Sequence, residues 1–355
     1  MTSTPSPTDG TSLKVLVTGS AGFIAGYLVE ELLRRGHEVV GIDNFSKYGR
    51  VVRSYDHHPR YAFVEGDVKD TDFLKTHLTG CDHFVSCAAK IGGISYFHEY
   101  AYDLLAENER IIAASFDAAI AAHREGELKK ITVLSSSMVF ENATVFPTPE
   151  GHQRECPPPF STYGFQKLAC EYFAKGAWEQ YRLPFTICRP FNCVGIGEGR
   201  ALGGREVPSG NVKLAMSHVV PDLVQKVLKG QNPLHILGSG EQVRCYTYGG
   251  DLAKGIATCM FHPAAENEDF NLSTPQSTTV LELAALIWRK CHGDEPDAPP
   301  FAVVHDEPYP HDVRNRIPDT RKARELLGFE ATTSLEKVLD EVIPWVRGEI
   351  AHDRI

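Results

Sequence analysis

The sequence lacks any apolar stretch long enough to cross a lipid bilayer. None of its apolar runs approaches the roughly 20 residues that a membrane-spanning helix needs. Residues 1–12 are rich in Thr, Ser and Pro and do not show the basic start and apolar middle that are typical of a signal peptide. We therefore expect a disordered lead-in over residues 1–12, a cytoplasmic protein and no membrane partner.

Basic residues are fewer than acidic residues in this chain. The chain has 36 Lys and Arg residues against 46 Asp and Glu residues, for a formal net charge of −10. A nucleic-acid-binding protein needs a basic stripe that displaces counterions, so this balance argues against a nucleic-acid partner. A phosphate-bearing small molecule stays compatible with the composition, since a few arginines can reverse the field within one cleft.

Paired cysteines and metal-ligand spacings are also missing. The nine cysteines are odd in number and scattered, with no Cys-x-x-Cys pair, which is typical of reduced thiols in the cytoplasm. The fifteen histidines show no ligand spacing either. We expect neither disulfides nor a bound metal.

What the first half does contain is a regular alternation of strand and helix signals. Strands are predicted at 14–18, 38–43, 61–65, 83–88, 131–135 and 185–189. Helices are predicted at 23–35, 103–123 and 163–182. This alternation implies right-handed crossovers and a parallel sheet, so the predicted fold class is α/β with a Rossmann doubly wound sheet.

The regular alternation of strand and helix signals ends after Asn192. Residues 195–211 are rich in glycine and are interpreted as a loop or flap, and helices are predicted at 219–229 and 281–290. We expect a cofactor-binding Rossmann domain over residues 13–194. Residues 195–355 would form mainly a smaller C-terminal α/β substrate-binding domain, with segments near 242–275 as candidates to return to the first domain.

A glycine-rich segment, VTGSAGFIAG, follows the first predicted strand and opens the first predicted helix. Gly19 permits a tight turn, and Gly22 lets the backbone approach a pyrophosphate that rests on the helix N-terminus. Asp43 closes the second strand, where an acid accepts hydrogen bonds from the adenosine ribose and repels a 2′-phosphate. The pattern predicts NAD rather than NADP. Further expected contacts of the cofactor are Ala21, Phe23, Ile24 and Asn44.

The segment EGDV ends the third predicted strand. Asp67 is a candidate to meet the adenine amino group, with Val68 against the ring. The alternative interpretation is that Asp67 caps the following helix.

A Tyr-x-x-x-Lys spacing, from Tyr163 to Lys167, lies at the start of a predicted helix. Residues four apart share one helix face, so an ammonium group lies beside a phenol and favours the phenolate. Such a tyrosine can take a proton from a substrate hydroxyl while the carbon gives a hydride to NAD. The preceding strand runs into the serine triplet Ser135, Ser136 and Ser137, which is a source of a hydroxyl for the same substrate oxygen.

With these motifs in place, the chain resembles the extended short-chain dehydrogenases, and within them the NAD-dependent sugar-nucleotide epimerase/dehydratase group. The resemblance runs from residue 14 to about 345 and rests on VTGSAGFIAG, GIDN, EGDV, CAAKIGG, SSSMVFEN, YGFQK, RPFN, GSGEQVRCYTYGGD, FNLS and DTRKARELLGF. It implies that Tyr163 is the acid/base and Lys167 its partner. Matching Val139-Phe140 to the family's Val-Tyr places the catalytic serine at Ser136, with Ser137 as the fallback.

The resemblance also implies binding roles. Asn192 matches the Asn that contacts the diphosphate or the sugar, and Arg244 matches an Arg that binds the nucleotide. Asp312, or the neighbouring Arg314 and Arg316, occupies the late nucleotide-binding segment. Additional cofactor candidates are Ala88, Ala89, Lys90 and Asn108. Additional substrate candidates are Gly92, Arg205, His218 and Val219. The arginines at 189, 205, 244, 314 and 316 are the natural sources of charge for a diphosphate, with a structural ion pair as the alternative for Arg189.

Two departures from the family pattern matter. The third loop glycine is Ala25, and Tyr309 stands where the family has a late Arg. Segments around 91–94, 203–206 and 309–316 are instead similar to GDP-mannose 3,5-epimerases, which leaves the nucleotide base open.

The residues after Ser136 bear on the reaction. The 4,6-dehydratases have an acid pair or a Glu there, UDP-glucuronate decarboxylases a Glu, and 3,5-epimerases a Cys, whereas this chain has Ser137 and Met138. A thioether neither donates nor accepts a proton usefully, so the sequence predicts hydride transfer at one carbon and a UDP-glucose 4-epimerase-like reaction. His218, Lys90 and Cys193 are the candidates for a remote acid or base.

The alternatives to this function are a dehydratase, a reductase or dehydrogenase, a C2 or C3/C5 epimerase, and a non-catalytic NAD-binding sensor or scaffold. The resemblance also implies a homodimer formed through the helices near 103–123 and 163–182.

Overall fold

The computed structural model describes residues 12–92, 99–202, 207–214, 218–293, 299–308 and 313–355. The expected lead-in up to residue 11 lies outside these described residues, and so do the candidate site residues Arg205 and Asp312.

The described strands, in chain order, are β1 Lys14–Thr18, β2 Glu38–Asp43, β3 Tyr61–Glu65, β4 His83–Ser86, β5 Lys130–Leu134, β6 Phe185–Pro190, β7 Cys193–Val194, β8 Val207–Ser209, β9 Val212–Leu214, β10 Leu234–Leu237, β11 Val243–Arg244, β12 Thr247–Tyr248, β13 Glu268–Leu272, β14 Thr278–Thr279, β15 Val303–Asp306 and β16 Asn315–Arg316. The described helices are α1 Phe23–Arg34, α2 Thr71–Leu78, α3 Ala101–Arg124, α4 Thr162–Tyr181, α5 Val219–Leu228, α6 Gly249–Phe261, α7 Val280–His292, α8 Arg321–Leu327 and α9 Leu335–Ala351.

Seven of these strands form one parallel sheet in the order β13-β6-β5-β4-β1-β2-β3. The chain winds outward from β1 in one direction and then in the other, which confirms the predicted Rossmann doubly wound α/β fold. The edge strand β13 comes from late in the chain and pairs with β6.

Both faces of this sheet are covered by helices, and the alternation of side chains along β1 shows why. Val15 and Val17 point to the face covered by α1 and α6, whereas Leu16 points to the face covered by α2, α3 and α4. Because every residue of such a strand is buried on one side or the other, its sequence is a continuous apolar run rather than an alternating one.

The C-terminal part builds a separate apolar core. Helices α5, α7 and α9 pack together there with the parallel pair β10 and β15. This lobe stands over the carboxyl ends of the large sheet and closes one side of a cleft.

The structure adds elements that the sequence did not predict. The segment interpreted as a loop over 195–211 ends in the antiparallel hairpin β8–β9, which turns at Gly210 with φ +55°. Helix α2 was missed because it has only 8 residues, although Asp70 caps it by accepting hydrogen bonds from the backbone N–H groups of Asp72 and Phe73. No helix within the described ranges is long and apolar enough to cross a membrane.

Candidate active site

A cleft of about 870 Å³ lies at the carboxyl ends of the parallel strands. Its lining comes from the loops after β1 to β6 on one side, and from α5, β10 and the strands β11 and β16 on the other. Ligands of open α/β sheets bind at this edge, where the strand order reverses.

The turn between β1 and α1 is shaped for a pyrophosphate. Gly19 has φ +70°, and a Cβ added there would lie 2.9 Å from the backbone Cα of Ala88. Gly22 is the N-cap of α1 and provides no side-chain cap, so the first N–H groups of the helix, at Phe23 and Ile24, keep their donors for a ligand in the cleft. These residues fit a dinucleotide phosphate.

Asp43 stands at the end of β2 and lines the same cleft. Its Oδ2 accepts a hydrogen bond from Ala21 N at 3.1 Å, and its Oδ1 accepts one from Phe45 N at 2.7 Å. Burial raises the pKa of Asp43, and the backbone N–H groups partly oppose this. Ala21 itself is not part of the cleft wall and contributes by holding this carboxylate.

The loop after β4 is fixed from two sides. Thr18 Oγ1 accepts hydrogen bonds at 3.2 Å from the backbone N–H groups of Cys87 and Ala88. The amide of Asn108, buried on α3, accepts from Lys90 N at 2.7 Å and donates to Lys90 O at 2.9 Å. Asn108 therefore holds the loop in place behind the cleft, which is lined by Ala88, Ala89 and Lys90. Gly92 is not among the lining residues.

Asp67 and Val68 line the cleft after β3. Asp67 accepts a hydrogen bond from Lys69 N at 3.0 Å, and Asp70 is the residue that caps α2. The alternative role of Asp67 as the helix cap is therefore wrong.

Tyr163 and Lys167 are brought together on the first turns of α4. The Lys167 ammonium lies 6.0 Å from the centre of the Tyr163 ring and donates a 2.9 Å hydrogen bond to Leu134 O at the end of β5. Both side chains are buried and line the cleft. The arrangement can place a phenol and a fixed cation against a substrate hydroxyl.

The three serines separate into different roles. Ser135 lines the cleft, and its Oγ donates to Glu171 Oε1 at 2.7 Å. Ser136 Oγ accepts from Met138 N at 3.2 Å and begins the single turn of 3-10 helix at Ser137–Phe140. Ser136, Ser137 and Met138 all line the cleft, as Tyr163 does.

Glu141 is a site residue that the sequence reasoning missed. Its Oε2 accepts hydrogen bonds from Ser161 N at 2.9 Å and Ser161 Oγ at 3.0 Å. Ser161 is the N-cap of α4, and a Cβ added to Gly164 would lie only 2.8 Å from Met138 O. Glu141 thus joins residues 135–141, the serine segment, to the helix that carries Tyr163. In the sequence, only its position just after Val139-Phe140 could have indicated that Glu141 belongs to the site.

Arg189, a candidate for phosphate binding by charge alone, is instead fully buried beneath the site. It donates to Glu171 Oε1 at 2.6 Å, to Glu171 Oε2 at 2.7 Å and to Asp269 Oδ2 at 2.5 Å. Burial raises the pKa of Asp269, but Arg189 and Lys322 outweigh it and hold this pKa well below its ordinary value. The structural ion pair is the correct interpretation of Arg189.

The substrate candidates on the opposite wall divide into two groups. The cleft-lining group consists of Asn192, His218, Val219, Arg244 and Arg316. By contrast, the structure does not bring Arg314 to the cleft, because its side chain is 77% exposed and pairs with Glu241 at 3.4 Å. Side chains two residues apart on a strand share a face, but Arg314 precedes β16 and turns outward.

The remote acid and base candidates differ in their surroundings. Lys90 is exposed, the side chain of His218 is 48% exposed, and Cys193 is partly buried. His218 pairs with the buried carboxylate of Glu198, which raises the pKa of His218. Burial raises the pKa of Cys193 far above its ordinary value, so its thiol stays protonated. Glu198, like Glu141, has no motif that would have identified it from the sequence. In the part of the chain that the structure describes, no group of three His, Cys, Asp or Glu side chains could hold a metal ion.

The sheet order, the glycine turn, the acid at the end of β2 and the Tyr–Lys pair together define a dinucleotide-binding short-chain dehydrogenase of the extended type. The model of the NAD dependent epimerase/dehydratase family matches residues 15–273. The chain belongs to this family, and NAD is its cofactor.

Relatives span nearly the whole chain. The solved UDP-glucose 4-epimerase of Thermotoga maritima is 29% identical, with 95% of this chain and 100% of that one covered and a TM-score of 0.77. The UDP-N-acetyl-alpha-D-glucosaminuronate decarboxylase of Bacillus cytotoxicus is 28% identical over 96% of this chain and 99% of its own length. A putative UDP-glucose 4-epimerase of Methanocaldococcus jannaschii is 26% identical over 94% of this chain and 98% of its own length.

Proposed function

We propose that this protein is an epimerase that inverts C4 of a nucleoside-diphosphate sugar. The observation that carries the proposal is the composition of the wall beside Ser136. The next two residues in the cleft are Ser137 and Met138. The Ser137 hydroxyl can hydrogen-bond but is too weak an acid and base to move a proton at carbon, and the thioether of Met138 has no proton to give. The nearby carboxylate of Glu141 is engaged by Ser161, so hydride transfer at a single carbon is the chemistry this wall supports.

The chain's own residues have defined parts in such a reaction. Tyr163 takes the proton from the C4 hydroxyl and later returns it, with the Lys167 ammonium stabilising the phenolate. Ser136 and Ser137 hydrogen-bond the same oxygen. NAD, when bound on the turn at Gly19 and Gly22, supplies a hydride acceptor and donor at C4. The 4-ketose must turn over within the cleft before the hydride returns to its other face.

The relatives support this proposal in two ways. The Thermotoga maritima enzyme is a UDP-glucose 4-epimerase and covers the chain almost completely, which favours the same reaction and a UDP-linked substrate. The decarboxylase relative shows that the same scaffold also handles a uronic acid, so the reaction type has to be measured directly.

A homodimer through α3 and α4 forms part of the proposal. These helices pack side by side and expose Tyr102, Phe165 and Tyr172, whose side chains are apolar over most of their surface. A mass near twice 39.3 kDa by light scattering is the expected result, and a monomer at micromolar concentration would contradict it.

The test is a proton NMR assay with catalytic amounts of enzyme, UDP- and GDP-linked hexoses and hexuronic acids, and no added reductant. We expect the C4 epimer to accumulate to equilibrium with no net change in absorbance at 340 nm. A 4-keto-6-deoxy product, a pentose product or stoichiometric NADH would replace the proposal with a dehydratase, a decarboxylase or a dehydrogenase.

Tyr163→Phe removes only the phenolic oxygen, so it tests the acid/base role of Tyr163 without changing the size of the ring. We expect it to fold and bind NAD while turnover falls by a factor of about 100 or more, because general acid–base catalysis contributes 10²–10⁴-fold. Tyr181→Phe, at the far end of α4, is the control and should keep normal turnover. Normal turnover by Tyr163→Phe would refute the assigned role.

A further inference from the structure

Arg53 supports the pyrophosphate turn from outside the cleft. Its Nη2 atom donates hydrogen bonds to Ala21 O at 2.5 Å and to Gly22 O at 3.4 Å. The side chain is half-buried, and its Nε atom has no hydrogen-bond partner in the described part of the chain. Among the residues that the structure describes, two backbone oxygens and no carboxylate therefore hold this guanidinium group.

These contacts fix the two peptide groups at the start of α1. In the peptide that links Ala21 to Gly22, the oxygen binds the guanidinium and the N–H group donates to Gly19 O at 2.8 Å. In the next peptide, Gly22 O accepts the first hydrogen bond within α1 at 3.0 Å as well as the longer one from Arg53. The oxygen and the hydrogen of a trans peptide point in opposite directions, so the Phe23 N–H group points away from Arg53. Phe23 lines the cleft.

The charge of Arg53 lies at the unfavourable end of a helix. The N-terminus of α1 is the positive end of the helix dipole, and the first turn of α1 has no acidic residue. A guanidinium group here adds positive charge to positive charge, which costs free energy unless an anion lies nearby. A dinucleotide pyrophosphate is such an anion. A ligand therefore explains the position of Arg53 better than the stability of α1 does.

A glycine-rich segment packs against the same guanidinium group. Gly197 has φ +93°, and a Cβ added there would lie 2.7 Å from Arg53 Nη1. The neighbouring Ile196 N donates to Tyr27 Oη at 2.8 Å, which attaches this segment to α1. The guanidinium group is therefore confined between the pyrophosphate turn and the segment at Gly197, and few other orientations are open to it.

We propose that Arg53 is a positioning residue for NAD, which holds the turn so that the first N–H groups of α1 meet the pyrophosphate and which adds a positive charge behind them. A hydrogen bond to a peptide oxygen polarises the peptide, so the N–H group on its other side becomes a stronger donor. Arg53 acts through the turn and does not touch the reacting atoms. The inference concerns retention of the cofactor, so it goes beyond the proposed C4 epimerisation and is independent of the sugar that is turned over.

The release of NAD from the loaded protein tests this role without any turnover. Labelled NAD bound to the protein is chased with a large excess of unlabelled NAD, and the rate of release is measured. Arg53→Gln removes the charge, and we expect release to become about 5- to 30-fold faster, the upper range for a charge beside a helix terminus. Arg53→Lys keeps the charge and should restore most of the retention.

Arg60→Gln is the matched control. Arg60 Nη1 also donates to a backbone oxygen, that of Gly36, at 2.8 Å, but this contact lies just beyond the C-terminal end of α1. A cation is favourable at that end of the helix and is remote from the pyrophosphate turn. We expect Arg60→Gln to release NAD at the wild-type rate. Unchanged release by Arg53→Gln, or equal acceleration by both variants, would overturn the proposal.

Competition against labelled NAD separates this role from general support of the loop. ADP-ribose carries the pyrophosphate, whereas adenosine lacks it. Arg53→Gln should weaken the binding of ADP-ribose by the same factor as that of NAD and leave the binding of adenosine unchanged. If the binding of adenosine falls by the same factor, the substitution disturbs the whole adenosine pocket, and the assignment of Arg53 to the pyrophosphate is wrong.

Discussion

Replacing Glu171 with glutamine should destabilise the protein more than any surface change, because Glu171 is the centre of a buried charge network. Its two oxygens accept four hydrogen bonds, one from Ser135, one from Gln153 and two from Arg189. An amide at this place turns one acceptor into a donor that faces other donors. The Arg189 charge is then left with Asp269 as its remaining partner in this network.

The size of the effect follows from these contacts. Breaking one partnership of a buried ion pair costs about 3–5 kcal/mol, and Asp269 still compensates part of the Arg189 charge, so about 3 kcal/mol is expected. For 355 residues the entropy of unfolding is about 0.75 kcal/mol per kelvin, which converts this loss to a fall in Tm of about 4 °C.

The assay is thermal and urea unfolding followed by circular dichroism, with Glu179→Gln as the control. Glu179 is exposed on the same helix α4, and its replacement should change stability by less than about 0.5 kcal/mol. If Glu171→Gln unfolds within 1 °C of the wild type, Asp269 alone neutralises Arg189 and the reasoning about the network is refuted.

Two further predictions concern the joint between the serine segment and α4, and the proposed dimer. Glu141→Ala removes both hydrogen bonds to Ser161, so kcat should fall by a factor of about 10 with little change in KM, whereas Glu141→Gln keeps an acceptor and should restore most of the loss. Equal kcat in all three proteins would show that the joint does not position Tyr163. Tyr172→Arg places a charge on the exposed face of α4 and should give a monomer by light scattering, and an unchanged mass would move the interface elsewhere.

Local patterns in the sequence were sufficient for the cofactor half of the molecule. β1, β2 and β3 have the predicted bounds, and the Tyr163–Lys167 pair lies on the predicted helix. The reason is physical: a glycine turn between a strand and a helix, and two residues four apart on one helix, fix their own geometry within a few residues. Such signals need no knowledge of distant parts of the chain.

The direction in which each arginine side chain points was decided by tertiary structure. Charge offered Arg189, Arg314 and Arg316 as sources for a diphosphate, with a structural ion pair as the alternative for Arg189, and the family resemblance added weight only to Arg314 and Arg316. The fold buries Arg189 in an ion pair and turns Arg314 to solvent. It directs Arg316 at Met138, which is 178 positions away in the chain.

The sequence by itself therefore determined the first six strands of the sheet, the NAD turn and the Tyr–Lys pair, since each is encoded by neighbouring residues. Only the tertiary structure decided which arginine reaches Met138 in the cleft and that Glu141 joins the serine segment to α4. The direction of a long side chain depends on what packs around it, and here those neighbours come from remote segments of the chain.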